Sequence, residues 1–315
     1  MGICSWADPA LIEAGTFYPR KSMTAEARLR HYAAIFDTVE VNSAYYAIPD
    51  PRHTARWVER TPPSFVFHVK AYALLTGHHP RAESLPAELG RLLPPGAPRT
   101  PRGELRGSGF PPEALEEAFR LYRAALRPLA EGGKLGYVLF QLAPWVRFGR
   151  GWLDYLASLP DRLPGWTLAV EFRNRSWLPE HADATIGALR AAGLAHVIVD
   201  GPPIARAIPR VTAATARTAV FRLHGRNAEG FLRQLRGESP AVREKYDYLY
   251  AEAELRDLLP EIERVAEAAE QTWVLFNNNN RDYPVRNALQ LRRLLGEPVP
   301  EPPAPGPSLP RDLFA

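Results

Sequence analysis

Eight short apolar runs follow one another along this chain. Each ends in a polar or charged residue: Cys4-Ser5-Trp6, Glu40-Val41-Asn42, His68-Val69-Lys70, Gln141, Glu171, Asp200, His224 and Asn277-Asn278. A closed barrel of parallel strands gathers its active site from the carboxyl ends of its strands. The pattern therefore predicts an α/β fold of the TIM-type (β/α)8 class, with the site at the mouth that those ends form. The strands are expected over residues 3–6, 38–41, 65–69, 135–142, 167–172, 196–200, 219–223 and 272–276. Helical periodicity fills most of the intervals, at 24–36, 51–60, 113–130, 152–158, 182–192, 253–269 and 285–295. The link between the sixth and seventh strands holds Pro202, Pro203 and Pro209, and its helix is expected to be degenerate.

A length of 315 residues accommodates one such barrel, expected over residues 1–295, with additions. The main addition is residues 81–112, crowded with Pro, Gly and Arg and without an apolar period. A long loop at the carboxyl end of a strand, here the third, reads as a functional lid. Residues 296–315 are proline-rich and read as a stiff, unstructured tail. No run approaches the roughly 18 apolar residues of a spanning helix, and no basic leader precedes an apolar segment at the start. A cytoplasmic protein without a membrane partner is expected.

Cys4 is the only cysteine, which excludes an intramolecular disulfide and a cysteine-based cluster. Its thiol is expected to be a small buried group. The net charge of +4 and the pI near 9.2 come almost wholly from arginine, lysine occurring only at 21, 70, 134 and 245. Guanidinium groups favour phosphate or carboxylate partners through two-point hydrogen bonding.

Side chains alternate across a strand, so polar residues at i and i+2 share a face. Glu40 and Asn42 share one, with Val39 and Val41 on the other. The same parity joins His68 with Lys70, Glu171 with Arg173, His196 with Asp200, and Arg222 with His224. The expected mouth thus gathers Glu40, Glu171, Asp200, His224, Lys70, Arg173 and Arg222, with Gln141, Asn277 and Asn278 beside them. Aromatic residues just after the strands, Trp6, Phe17, Tyr18, Tyr45, Tyr46, Trp145 and Trp177, are expected to form its walls and to stack on flat ligands.

Buried charge is costly unless paired, so such a set implies internal ion pairs or a charged ligand. Two chemistries fit. Glu171, Asp200 and His224, with Glu40, are oxygen and nitrogen donors suited to a divalent metal. Glu171 as a general base, with Lys70 and the arginines on an oxyanion or phosphate, fits equally.

With these residues laid out, the chain resembles the YecE-like family, domain-of-unknown-function family 72 (DUF72). The resemblance rests on Gly2-Ile3-Cys4-Ser5-Trp6 with Phe17-Tyr18-Pro19, and on Phe36-Asp37-Thr38-Val39-Glu40-Val41-Asn42-Ser43 with Tyr45-Tyr46 and Pro49. Phe65-Val66-Phe67-His68-Val69-Lys70, Gln141-Leu142-Ala143-Pro144, Glu171-Phe172-Arg173 with Ser176-Trp177, Arg222-Leu223-His224-Gly225 and Phe276-Asn277-Asn278 come in family order. It spans roughly residues 2–295 and implies a TIM-type barrel but no particular activity. The chain departs from the family in a clipped first strand, in the insertion after strand three, and in Leu75-Thr76-Gly77-His78, where relatives carry a compact Thr-His pair. Either His78 or His79 fills that role.

The leading expectation is an enzyme, a hydrolase or isomerase using a metal or general acid–base groups on a phosphorylated or otherwise anionic substrate. A phosphodiester is one candidate. The alternative is a nucleic-acid or nucleotide binding protein without turnover, suggested by the basic pI and the aromatics. A third reading concerns the tail, where Leu309-Pro310-Arg311-Asp312-Leu313-Phe314 resembles short Leu-Phe-ended peptides that dock on bacterial sliding clamps.

Overall fold

The computed structural model describes residues 1–205, 207–238 and 244–300. Its strands are β1 Gly2–Cys4, β2 Thr38–Val41, β3 Val66–Lys70, β4 Leu135–Gln141, β5 Thr167–Glu171, β6 Ala195–Asp200, β7 Thr218–Leu223 and β8 Gln271–Phe276. They pair in parallel and in sequence order, and β8 returns to β1 to close the barrel. Every strand lies within two residues of the span read from the sequence.

One parity of each strand faces the helices. Val39, Val41, Phe67, Val69, Val170, Phe221 and Phe276 are buried there with the helical apolar stripes. The other parity fills the lumen, where Cys4, Tyr137, Leu139, Ala169, Val197, Val220 and Leu275 form a second apolar cluster. The helix Ala25–Ala33 starts on Thr24, whose hydroxyl accepts the Ala27 N–H at 3.1 Å, and Pro51–Glu59 starts on Asp50, which accepts from Arg52 N–H at 2.8 Å. Such caps satisfy amides that the first turn leaves unpaired. The longest helices, Pro112–Glu131 and Glu252–Glu267, come after β3 and β7, and Tyr283–Leu294 comes after β8. Between β6 and β7 no helix forms among the described residues, as the prolines there require.

β3 and β4 meet closely because Gly136 has no side chain. A Cβ at that position would collide with the His68 ring. The insertion is more ordered than its composition suggests. It holds a short helix, Ala87–Leu92, and an antiparallel bridge between Arg99 and Leu105. Leu89 and Leu105 anchor it by burial, and Leu105 N–H donates to Pro80 O at 2.9 Å. Two anchors so far apart make no periodic signal, which is why the sequence shows none. No helix among the described residues is long and apolar enough to cross a membrane. The Leu309–Phe314 peptide, like all of residues 301–315, lies outside the described residues.

Candidate active site

Arg222 projects from β7 into the lumen and joins two carboxylates from distant strands. Its Nε and Nη2 donate to Glu40 Oε2 and Oε1 at 3.0 and 2.6 Å, and its Nη1 donates to Glu171 Oε2. All three side chains are fully buried. Tyr137 OH donates to Glu40 Oε2 at 3.2 Å, and the Cys4 thiol lies 3.7 Å from Arg222 Nη2. Burial, followed by the charge of Glu40, pushes the Cys4 thiol well above its ordinary range, so it stays protonated and is no nucleophile.

Below this hub the lumen is plugged. The His68 ring stacks on Tyr137 with centroids 3.9 Å apart and meets Trp273 edge-on at 4.5 Å. Its Nδ1 accepts the Tyr137 N–H at 3.1 Å, and burial keeps the ring neutral.

Above the hub, Glu171 organises the mouth. Its Oε1 accepts from Gln141 Nε2 at 2.7 Å and Arg173 Nη1 at 2.8 Å, with His224 Nε2 at 3.4 Å. Burial alone would raise its carboxyl, but the Arg222 charge, reinforced by His224 and Arg173, holds it well below the usual range. Gln141 Oε1 in turn accepts from Lys70 Nζ at 2.8 Å. Asn277 Nδ2 lies 2.7 Å from His224 Nδ1. With that amide donating, the imidazole carries its proton on Nε2, toward Glu171. Burial lowers His224 to about 4, so it is neutral near pH 7.

Two residues that strand logic could not reach complete the mouth. Lys245 and Tyr246 come from the 3-10 turn Glu244–Tyr246 after β7, with Lys245 Nζ 4.7 Å from the Tyr246 ring centre and that ring 5.9 Å from the His224 ring. Burial would raise the Tyr246 phenol, yet the charges of Lys245, Arg173 and Lys70 bring it down to about 8. Lys70 also falls to about 8, through burial first and Arg222 second. Four cations therefore face two carboxylates here, and both carboxylates are bound by Arg222. From the sequence this segment reads as a helical stretch containing residues 246–249, whereas the structure has a single 3-10 turn that ends at Tyr246.

Several expected site residues lie elsewhere. In β6, Val199 pairs with the inward Arg222 and Ala195 with the inward Ala169. Asp200 and His196 consequently face the helices. Asp200 accepts from Arg210 Nη1 at 2.6 Å, from Arg226 Nε and Nη2 at 3.0 Å and from Tyr250 OH at 2.7 Å, a cluster on the outer side of the barrel. Trp6 also leaves the mouth, because Ser5 at φ 94° breaks the strand alternation, and its ring meets Trp57 at 5.6 Å under the neighbouring helix. Trp177 is fully buried against Phe172, its Nε1 donating to Val146 O at 2.9 Å. Phe17 packs edge-on against Tyr18 and His31 and tilted against Phe36, and Tyr18 is tilted against His31. Asn278 clips the Tyr248 carbonyl and Asn287 on the outer side. Asn42 does stand at the mouth, before the short helix Ser43–Tyr46, with its Oδ1 buried and unpartnered. Tyr45, Tyr46, His78 and Trp145 line the rim, Tyr45 lying 4.3 Å over Lys70 Nζ.

This donor set does not fit a divalent metal. Asp200 is on the far side of the sheet from Glu171 and His224, and the oxygens of Glu40 and Glu171 are engaged by Arg222. Among the described residues no group of three His, Cys, Asp or Glu side chains converges.

A parallel eight-stranded barrel whose mouth is cationic, over a buried arginine–dicarboxylate hub, is the class of protein that fold and site define. The chain belongs to the family described as protein of unknown function DUF72, whose model matches residues 1–310. It is 31% identical over 299 residues to the UPF0759 protein YunF of Bacillus subtilis, covering 94% of each chain. Among solved structures it is similar to a DUF72 family protein of Thermotoga maritima, with a TM-score of 0.71 and 30% identity over 94% of this chain and 100% of that one. A DUF72 family protein of Enterococcus faecalis superposes with a TM-score of 0.75 at 24% identity, over 98% of both chains, and shares the fold.

Proposed function

We propose that the protein is an enzyme that takes a small phosphorylated or otherwise anionic substrate at the carboxyl-terminal mouth of the barrel and moves a proton with Tyr246 and Lys70. The observation that carries this reading is the imbalance of charge at the mouth. Arg222 engages both buried carboxylates and Arg173 also pairs with Glu171, so the two acidic side chains of the hub face four cations and leave an excess of positive charge, with Lys70 and Lys245 held by no carboxylate of the hub. An anion supplies the missing partner, and it meets these groups where water is scarce and charge interactions are strong.

Tyr246 is the suitable acid–base group. A phenol brought to about 8 by three flanking cations exchanges a proton near neutral pH, as an acid–base catalyst must. Glu171 is a poor base because Arg222, Arg173, Gln141 and His224 surround it; its role is to hold Gln141 and Arg173 toward the opening. These groups suit hydrolysis or isomerisation of a phosphate ester.

The test is calorimetric titration with inorganic phosphate and a panel of phosphate esters. Binding should weaken about tenfold or more in Lys70→Ala and Arg173→Ala, the loss of one charge-assisted contact. Tyr246→Phe should keep that affinity within about threefold while turnover of any active ester falls about 10²–10⁴-fold. Phosphate binding that ignores Lys70 and Arg173 would overturn the reading.

A further inference from the structure

The rim of the mouth carries a feature that anion binding leaves unused. Tyr46, Tyr45, His78, Trp145 and His79 form one continuous arc of ring contacts, with successive centroids 4.9, 5.0, 5.6 and 4.7 Å apart. The arc touches the cationic cup at Tyr45, whose ring covers Lys70 Nζ. Its outer members are open: Tyr46 is 55% and Trp145 52% exposed, and they are two of only four large apolar side chains exposed among the described residues. Trp145 is held rigidly, its Nε1 donating to Gly77 O at 3.0 Å and its face stacked on His79 at 18°. Rigid, exposed rings beside a cationic cup are built to receive a flat ring joined to an anion.

The polar groups nearby favour a heterocycle over a sugar as that ring. Sugar hydroxyls need several free carboxylate and amide groups, but Glu40 and Glu171 are bound by Arg222, Gln141 by Lys70 and Glu171, and Asn277 by His224, which leaves Glu244 Oε2 as the unpartnered carboxylate oxygen of the mouth turn. Asn42 Oδ1 and His79 Nδ1, beside the aromatic arc, are among the buried polar atoms that lack a partner. One acceptor, and one ring nitrogen able to donate or accept, suit the hydrogen-bonding edge of a base. We infer that the substrate is a nucleotide unit, its phosphate on Lys70, Arg173 and Lys245 and its base against the Tyr46–Trp145 arc. This deepens the anionic-substrate reading and rests on it.

Calorimetry of the full chain with inorganic phosphate, ribose 5-phosphate, adenosine monophosphate and a short 5′-phosphorylated oligonucleotide tests the inference. Adenosine monophosphate should bind about tenfold or more tighter than ribose 5-phosphate, the effect of stacking one base. Trp145→Ala and Tyr46→Ala should remove that margin and leave ribose 5-phosphate affinity unchanged, and Trp145→Phe should restore most of it. Equal affinity for the two esters, or a margin that survives both alanine variants, overturns the inference while the anion site stands. Failure of every phosphate compound overturns both readings together. An oligonucleotide that binds tighter than the monophosphate, with a steep salt dependence, supports the inference with a nucleic-acid end as the source. Equal binding of the two supports it with a free nucleotide.

Discussion

Arg222 illustrates how much one side chain can fix. A guanidinium buried between two carboxylates is tolerable only because each charge offsets the desolvation of the others. Removing the arginine alone leaves two buried anions, so Arg222→Met should cost about 3–5 kcal/mol. Adding Glu40→Gln and Glu171→Gln to it should recover most of the loss, and urea unfolding of the two variants checks both statements. Tyr246 offers a test that needs no substrate. In absorbance at 295 nm against pH, one phenol should ionise near 8, below the ordinary 10, and that step should vanish in Tyr246→Phe. Lys70 falls in the same range, so the titration belongs to the pair, and Lys70→Met should move the phenol upward by removing a cation. Neither the hub nor this phenol could be located by residue type alone. Glu40, Glu171 and Arg222 were legible as inward-facing because valine, phenylalanine or leucine marks the opposite parity in their strands. Tyr246 ends a single 3-10 turn, too short to carry a period that reports direction.

Strands differ in how plainly they declare their faces. β2 and β7 alternate polar and apolar residues near their ends, so their orientation can be read directly. β6 cannot be read this way. Its Val197, Ile198 and Val199 are apolar on both faces, and only the register with β5 and β7 shows that Val199 points inward and Asp200 outward. Asp200 ties β6 to three later segments of the chain: Arg210 lies in the β6–β7 link and Arg226 after β7, while Tyr250 precedes the helix Glu252–Glu267. The same two arginines reach Glu261 and Glu254 on that helix. Asp200→Asn should therefore lower stability by about 1–3 kcal/mol, the penalty of leaving partners unsatisfied. Phosphate affinity should stay within about twofold, since electrostatic effects fall off across the sheet. A collapse of phosphate binding in a variant that remains folded would return Asp200 to the site.

Across the whole molecule, buried neutral imidazoles set the acid limit. Burial lowers His224 and His196 to about 4, His78 to about 3, and His68 well below the ordinary 6.5. The unfolded chain thus binds more protons than the native one below pH 6.5, and native stability falls as pH drops. The stability these rings contribute is complete above 6.5 and lost progressively toward about 3–4. Melting temperature tracked from pH 7 to 4 should decline steadily, and His224→Asn with His196→Asn should flatten the curve. The eight-strand plan could be seen from the chain because each strand supplies its own local signal. The insertion after β3 and the turn bearing Lys245 and Tyr246 could not, because scattered anchors and long-range packing place them.

The plug of His68, Tyr137 and Trp273 has one more effect. It makes the barrel a cul-de-sac, so whatever enters must leave by the way it came. For the proposed enzyme, a spent molecule and a fresh one then contend for a single doorway, and inhibition by product should be competitive with substrate.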